Sequence, residues 1–305
     1  MRLASARSVV LSSARSVVLV PSLAVVLLSS ASHAVAQTSS DMDWQKEYSL
    51  SGSAALTIET SDSHLDIHSC GECKAIRIHV LAGEKLSNFR LEEHQDQNHV
   101  YFLLKEKPHI GFEIHWNSSH GTKVIVETPS SLELDARTSD GNLSVRDLTG
   151  NVSVHTGDGA VMLENLHGDI RLNASDGNIT VHNVTGTLDA RASDGHMKVD
   201  GQFSAVQLHT SDGNLDFALA SGSQLTAPSR IESSDGHVTI RVPQNLAADL
   251  DVTTSDGHID CTLPLSMDQY SSGKSASHHL RGHLNAGGAA LSIRTSDGNV
   301  SIATL

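Results

Sequence analysis

The chain has 305 residues, enough for one large domain or two ordinary ones. Its 35 acidic residues against 21 Lys and Arg give a formal net charge of −14, which argues against nucleic-acid binding and against docking on anionic lipid, because both need a basic face. Hydrophobic residues make up 38%, sufficient for a buried core, whereas aromatic residues make up 3%. So few aromatic residues argue against an aromatic-lined pocket.

The first 36 residues have the pattern of an export signal. Three arginines precede an apolar stretch at 16–28, and Ala34-Val35-Ala36 matches a small-residue cleavage site. The alternative is a retained membrane anchor, but Pro21 interrupts an apolar stretch that is short for a membrane span. We predict a signal peptide at 1–36 and no transmembrane segment in the mature chain. The protein is then exported to the periplasm, the cell surface or the medium.

The three cysteines fit an oxidising compartment. Cys70 and Cys73 are separated by two residues, which predicts a short disulfide loop in an exported protein. The alternatives are free thiols or a metal or redox site. A redox motif needs a strand-to-helix junction and a zinc site needs two further ligands, and the sequence offers neither. Cys261 is expected to be a small buried residue on a strand.

A Ser-Asp-Gly repeat occupies residues 131–305. Apolar residues stand three and five positions after each aspartate, and a second alternation of apolar and polar residues follows half a period later. Alternation with a period of two predicts two β-strands in each repeat. The aspartates at 18-residue steps are Asp140, Asp158, Asp176, Asp194 and Asp212, and later copies at longer steps contain Asp235, Asp256 and Asp297.

Glycine follows each of these aspartates, and we expect structural turns in which the glycine takes positive φ. The polar residue after each glycine is expected to form a ladder along the stack. The turn glycines are Gly141, Gly159, Gly177, Gly195, Gly213, Gly236, Gly257 and Gly298.

The repeat is compatible with two all-β packings. In a β-solenoid, a β-helix-like stack, each 18-residue repeat is one two-strand coil and equivalent residues lie above one another. In an antiparallel β-meander, each Asp-Gly is a hairpin turn. The strict spacing and the matching columns favour the solenoid. We predict an irregular N-terminal β region or cap at 37–130 and the repeat array at 131–305. A loop insertion at 264–288 is rich in Ser, Gly and His.

Residues 50–305 resemble the bacterial putative-adhesin domain of unknown function. The resemblance depends on the serial Ser-Asp-Gly units, on Thr128-Pro129 and Val242-Pro243, and on the ending from Gly287-Gly288 to Asp297-Gly298. It implies an exported, β-helix-like stack of short strands with an adhesin-like role. The family brings no catalytic or binding residues to transfer to this chain.

We therefore predict a protein of the cell envelope or surface that is not an enzyme and has no cofactor. It would act as an adhesin-like binding or scaffold module whose partner is an envelope or surface component. Long repeat stacks suit this role because they expose extended faces.

Two alternative functions remain at this stage. The first is a calcium-dependent repeat module, in which Asp140, Asp158, Asp176, Asp194 and Asp212 would be the metal ligands. The Gly-Gly-x-Gly context of calcium-binding nonapeptide rolls is missing. The second is a β-helix enzyme acting on polysaccharide, for which carboxylates are plentiful but basic residues in the array are sparse.

The 19 histidines suggest a further hypothesis. His278, His279 and His283 form one possible transition-metal cluster, and His109, His115 and His120 form another. Scattered surface histidines are the commoner case on an acidic protein. Their protonation at mildly acidic pH would reduce the net negative charge, so we predict a pH-dependent association.

Overall fold

The computed structural model describes residues 38–108, 121–266 and 278–305. This part of the chain is all-β, apart from one short 3-10 helix at Leu86–Asn88. No helix within the described ranges is long and apolar enough to cross a membrane. The predicted signal peptide lies outside the described residues.

The strands are short, and most of them alternate buried and exposed residues. In chain order they are β1 (Thr38–Ser39), β2 (Asp43–Ser49), β3 (Ala54–Thr60), β4 (His64–Ser69), β5 (Ala75–Leu81), β6 (Phe89–Asp96), β7 (His99–Glu106), β8 (Lys123–Thr128), β9 (Leu132–Thr138), β10 (Leu143–Arg146), β11 (Thr149–Thr156), β12 (Val161–Glu164), β13 (His167–Ala174), β14 (Ile179–Ala192), β15 (Met197–Thr210), β16 (Leu215–Leu219), β17 (Ser229–Ser233), β18 (Val238–Val242), β19 (Ala248–Thr254), β20 (Ile259–Cys261), β21 (Leu265–Ser266), β22 (His279–Leu284), β23 (Ala290–Thr295) and β24 (Val300–Thr304).

Neighbouring repeats pair in parallel, so the predicted β-solenoid is confirmed and the antiparallel meander is wrong. The strands form two parallel ladders that face each other across the core. The first ladder contains, in spatial order, β7, β3, β9, β11, β13, the second half of β14, the second half of β15, β17, β23 and β19. The second contains β8, β4, β10, β12, the first half of β14, the first half of β15, β16, β18, β24 and β20.

From β9/β10 onward, each coil is one strand of the first ladder, an Asp-Gly corner and one strand of the second ladder. Asp-Gly therefore turns the chain from one ladder to the other instead of closing a hairpin. The backbone continues the parallel pairing through the corner. The amides of Asp158, Asp176 and Asp194 each donate a hydrogen bond of 3.1 Å to a carbonyl one coil earlier.

The order of the coils in space differs from their order in the chain at both ends of the stack. The coil β3/β4 lies between β7/β8 and β9/β10, although it precedes both in the sequence. The last coil, β23/β24, lies between β17/β18 and β19/β20. The stack is therefore interleaved at its two ends and sequential in its middle.

Antiparallel strands border both ends of the first ladder. At one end β6 pairs with β7, and at the other β22 pairs with both β19 and β21. The second ladder begins with the antiparallel series β1, β2 and β5, which reaches β8. Because an unpaired flat edge invites aggregation, these strands protect the parallel stack.

Part of the insertion predicted as a loop at 264–288 is a strand instead. Residues 279–284 form β22, in which Leu280, Gly282 and Leu284 are buried in alternation. The abundance of Ser, Gly and His concealed this period-two pattern.

The apolar columns of the repeat form a single core between the ladders. Val145, Leu163 and Val181 belong to one such column, and all three are fully buried. Phe203 and Phe217 extend the core with ring centroids 6.0 Å apart. Burial of each such aliphatic side chain contributes roughly 1.5 to 3 kcal/mol.

Candidate functional site

The aspartates of the Asp-Gly corners form one exposed line along the stack, which we call the aspartate edge. Adjacent members belong to adjacent coils, so they stand about 4.8 Å apart along the stack. In spatial order the edge consists of Asp62, Asp140, Asp158, Asp176, Asp194, Asp212, Asp235, Asp297 and Asp256.

The corner glycines are required mainly by close approach, and the prediction of positive φ is wrong for most of them. Among the eight predicted turn glycines, Gly195 has φ 110° and Gly177 is nearly extended at φ 158°, while the others are not in the positive-φ region. A Cβ at Gly159 would overlap the carbonyl oxygen of Gly141 in the next coil, and the same holds at each corner. The backbones of successive corners stack too tightly for a side chain.

A buried hydroxyl residue completes several corners two positions before the aspartate. The amide of Gly257 donates to Thr254 Oγ1 at 3.0 Å, and the amide of Gly298 donates to Thr295 Oγ1 at 3.3 Å. Ser233 does the same for Gly236 at 3.1 Å. The sequence already showed Thr or Ser at this position, but its role in the turn was not predicted.

The aspartate edge does not gather its carboxylates into a metal site. Within the described ranges, no three His, Cys, Asp or Glu side chains are placed to hold a metal ion. The two carboxylates that do interact are those of Asp62 and Asp140. Burial, together with the hydrogen bond and charge of Asp140, raises the pKa of Asp62.

The predicted polar ladder follows the glycines and is present in the structure. Asn178 Oδ1 accepts a hydrogen bond from the amide of His196 at 3.1 Å, and Asn214 Oδ1 accepts one from the amide of His237 at 3.0 Å. His237 Nδ1 in turn accepts from the amide of Asn299 at 3.2 Å. These side chains tie several corners to the neighbouring one.

The opposite corner carries a second ladder that the sequence did not reveal. Asp147, Asn165 and Asn183 occupy equivalent positions with φ of 60°, 55° and 52°. Asn165 Nδ2 donates to Asp147 Oδ1 at 2.8 Å, and Asn183 Nδ2 donates to Asn165 Oδ1 at 2.7 Å. Asn and Asp tolerate this left-handed conformation better than other non-glycine residues. Their recurrence at this position was the sequence feature that could have predicted the second ladder.

The outward side of the first ladder carries three rows of residues between β9 and β22, and we call the two rows that contain arginine the arginine face. Both rows follow directly from the strand register. One row is Asp135, Ser153, Arg171, Asp189, Gln207, Arg230, Ser292, Asp251 and Arg281, and the other is Arg137, His155, Asn173, Arg191, His209, Glu232, Arg294, Thr253 and His279.

Four arginines of this face pair with carboxylates of the same face. Arg137 forms a two-pronged pair with Asp135 at 3.0 and 3.1 Å. The other pairs are Arg191–Asp189 at 3.1 Å, Arg230–Glu232 at 3.1 Å and Arg281–Asp251 at 2.8 Å. Burial alone would raise the pKa of Asp251, but hydrogen bonds from Arg281 and His279 lower it.

The outward side of the second ladder contains a largely buried carboxylate, Asp66, that forms ion pairs. Asp66 is 15% exposed and accepts a hydrogen bond from Arg146 at 2.8 Å, with Lys123 at 3.6 Å and His68 at 3.7 Å. Burial alone would raise the pKa of Asp66, but the hydrogen bond and the charge of Arg146 outweigh this effect, so the pKa is lowered. This pair joins β4 of an interleaved coil to β10 of the regular array.

Cys70 and Cys73 are joined by a disulfide in the structure, and Cys261 is a half-buried free thiol at the end of β20. Burial raises the pKa of the Cys261 thiol, which disfavours the reactive thiolate.

The predicted histidine clusters do not form a metal site in the described ranges. His279 contacts Asp251 at 3.0 Å and His283 contacts Asp249 at 2.7 Å, so each has its own carboxylate partner. His109, His115 and His120 lie outside the described residues. The pH-dependent association stays a prediction.

Fold and corners together define a β-solenoid built from Asp-Gly coils. The model of the Toastrack DUF4097 family matches residues 49–303, and the chain belongs to this family. This confirms the predicted relationship to a β-repeat domain of unknown function. None of the curated proteins matches the chain.

Two crystal structures are similar to the chain. One is a putative adhesin from Bacteroides fragilis, with 8% identity over 87% of this chain and 98% of that one, and a TM-score of 0.45. The other is a putative cell adhesion protein from Clostridium sporogenes, with 7% identity over 86% of this chain and 99% of that one, and a TM-score of 0.29.

Proposed function

We propose that this protein is an exported, non-catalytic binding module of the cell envelope or surface. The observation that carries the proposal is the uninterrupted stack of ten coils, whose two outward sides are extended, polar and exposed. Such surfaces suit contact with an extended partner more than capture of a small molecule. The signal-peptide pattern at 1–36 supports export.

The depressions of the described surface fit this proposal. One depression on the arginine face, about 770 Å³, is an open hollow lined mostly by polar and charged side chains. Pockets that bury small molecules are mostly apolar and enclosed. Polar hollows on a long sheet surface are typical of a surface that contacts a polymer.

The test is binding of residues 37–305 to isolated cell envelopes, measured with calcium and again with a chelator. Saturable binding that is equal in both conditions is the expected result. The matched control is the same protein with Gly159→Ala, which disrupts the stack but leaves charge and length unchanged. Binding only with calcium would favour the calcium-dependent alternative, and no saturable binding in either condition would contradict the proposal.

A further inference from the structure

The arginines of the repeat array are concentrated on one face. Eight arginines lie between residues 131 and 305. Six of these lie on the arginine face, and all six are exposed. The remaining two, Arg146 and Arg241, lie on the outward side of the second ladder. The two rows hold these six cations and four carboxylates, a local excess of positive charge on a chain whose formal charge is −14. The neighbouring third row of the same side adds the carboxylates of Glu133, Asp169 and Asp249.

The six arginines are also evenly spaced in each row. In one row Arg171, Arg230 and Arg281 are separated by three strand steps each. In the other row the steps between Arg137 and Arg191, and between Arg191 and Arg294, are again three strands. Three strand spacings are about 14 Å. The face therefore presents guanidinium groups at a constant interval along two rows.

The spacing depends on the interleaved end of the stack. Arg294 comes from the last coil of the chain and stands beside Glu232 of β17 because β23 is inserted there. Without the insertion, Arg294 would not be separated from Arg191 by the same three strand steps that separate Arg191 from Arg137. The regular spacing is thus a property of the folded surface and not of the sequence period.

Two of the six arginines form no ion pair within the described ranges, namely Arg171 and Arg294. Arg294 lines the 770 Å³ hollow together with Arg191 and Arg230. Arg191 and Arg230 each bind their carboxylate through one terminal nitrogen. The other N–H groups of each guanidinium can still donate hydrogen bonds to a ligand.

We infer that the arginine face binds a linear polysaccharide that carries carboxylate groups. This deepens the proposed function by naming its ligand class, and it rests on that function. A planar guanidinium matches a carboxylate with two parallel hydrogen bonds, which a lysine ammonium cannot do. Ser153, Asn173 and Gln207 stand between the arginines and offer hydrogen bonds to sugar hydroxyls. Guanidinium groups at a constant interval fit a polymer whose carboxylates also recur at a constant interval.

Nucleic acid fits this surface less well. A nucleic acid carries a phosphate at every nucleotide, and its binders depend on dense basic residues to neutralise them. Here the cations are about 14 Å apart within a row and alternate with carboxylates. Such wide spacing suits an acidic polysaccharide in which neutral sugars separate the carboxylates, as in hyaluronan.

The experiment measures binding of residues 37–305 to polygalacturonate, alginate and hyaluronan at low and physiological salt. A fully methyl-esterified polygalacturonate serves as the uncharged control of the same backbone. We expect binding to at least one acidic polymer and no binding to the ester. The variant Arg191→Gln/Arg230→Gln/Arg294→Gln should weaken the interaction by about tenfold or more, because charge-assisted hydrogen bonds are lost.

A second variant that removes the same number of charges elsewhere distinguishes binding by the arginine face from attraction by the overall charge of the protein. Lys74→Gln/Lys198→Gln/Arg241→Gln removes three exposed cations away from the arginine face, and it should change affinity by less than about twofold. Equal weakening by both variants would overturn the inference, as would equal binding of the methyl ester or of single-stranded DNA. Binding to envelopes without binding to any of the three acidic polymers would overturn the inference and leave the proposed function standing. Failure to bind envelopes as well would contradict both.

Discussion

The middle and the ends of the stack use the same corner but different chain connections. Between β9 and β16, successive coils follow one another in sequence and in space. At the ends, β3/β4 and β23/β24 each lie between two coils that are consecutive in the chain, although the inserted coil itself comes from another part of the sequence. Gly298 nevertheless packs against Gly236 just as Gly159 packs against Gly141. The corner is therefore a stacking unit that works regardless of chain order.

This difference has a consequence for stability. In a sequential stack each coil contacts its neighbours in the chain, and stability is approximately a sum of local units. An inserted coil pairs with strands that are far from it in sequence, and its loss removes a pairing partner from the coils on both sides of it. The interleaved ends should thus fold more cooperatively and less locally than the middle.

The largest effect is expected from deleting residues 289–305, which removes the inserted coil. Leu291, Ile293, Val300 and Ile302 are buried, and losing them costs on the order of 6 kcal/mol at roughly 1.5 kcal/mol each. Hydrogen exchange should then show lost protection in β18 to β22 and retained protection in β10 to β14. Deleting only Leu305, which is 60% exposed, should change neither region. Unchanged protection in β19 after the long deletion would rule out the insertion.

The next largest effect is expected in the regular middle, from Gly159→Ala. Its Cβ would overlap the Gly141 carbonyl, and relieving this overlap should cost about 3 kcal/mol in the free energy of unfolding. Gly121→Ala is the matched control, because nothing lies within 4 Å of a Cβ there. Thermal unfolding measures both. Equal melting temperatures for the two variants would show that the corners do not stack closely.

A smaller effect is expected where the two regions meet, at the Asp66–Arg146 pair. Arg146→Gln leaves a carboxylate that is 15% exposed without its main partner, at a cost of about 1 to 2 kcal/mol at pH 7. The pKa of Asp66 is lowered in the folded state, so its contribution is present above the unfolded-state pKa and lost as pH falls through the folded-state pKa.

The difference between wild type and Arg146→Gln should therefore shrink below about pH 4. Arg241→Gln, another exposed arginine of the second ladder, is the control and should cost little at any pH. A difference that stays constant between neutral and acidic pH would contradict the assigned ion pair. Urea unfolding at several pH values makes the measurement.

The smallest effect is expected from Asp62→Asn at the same junction. Burial and the neighbouring carboxylate of Asp140 raise the pKa of Asp62, so its ionised form costs stability at neutral pH, and this cost is lost as pH falls through the folded-state pKa. The variant should stabilise the fold by about 0.5 kcal/mol at pH 7, and by nothing once both carboxyls are protonated. Asp260→Asn, away from the aspartate edge, should have no such pH dependence. Destabilisation by Asp62→Asn at pH 7 would contradict the repulsion.

The sequence predicted the local architecture well because that architecture is periodic. The columns that contain Val145 and Leu163, the Asp-Gly corners and the Asn ladder at Asn178 all follow from residue spacing. The insertion of β23 was not predictable in this way, because it depends on pairing between strands far apart in the chain. The spacing of Arg294 from Arg191 was hidden for the same reason. The stacking role of Gly159 could not be predicted from turn chemistry, because it depends on the distance to the backbone of the neighbouring coil.

The most direct test of the account is a set of engineered disulfides across the inserted coil, in a Cys261→Ser background. Arg294 lies in register with Glu232 on one side and with Thr253 on the other. The pairs Glu232→Cys/Arg294→Cys and Thr253→Cys/Arg294→Cys should each form a disulfide on oxidation, as detected by mass spectrometry. Glu232→Cys/Thr253→Cys should not, since two strand spacings of about 9.6 Å exceed the reach of a disulfide. Efficient formation of the last pair and failure of the first two would show that the last coil is not inserted, and the even arginine spacing would then be lost.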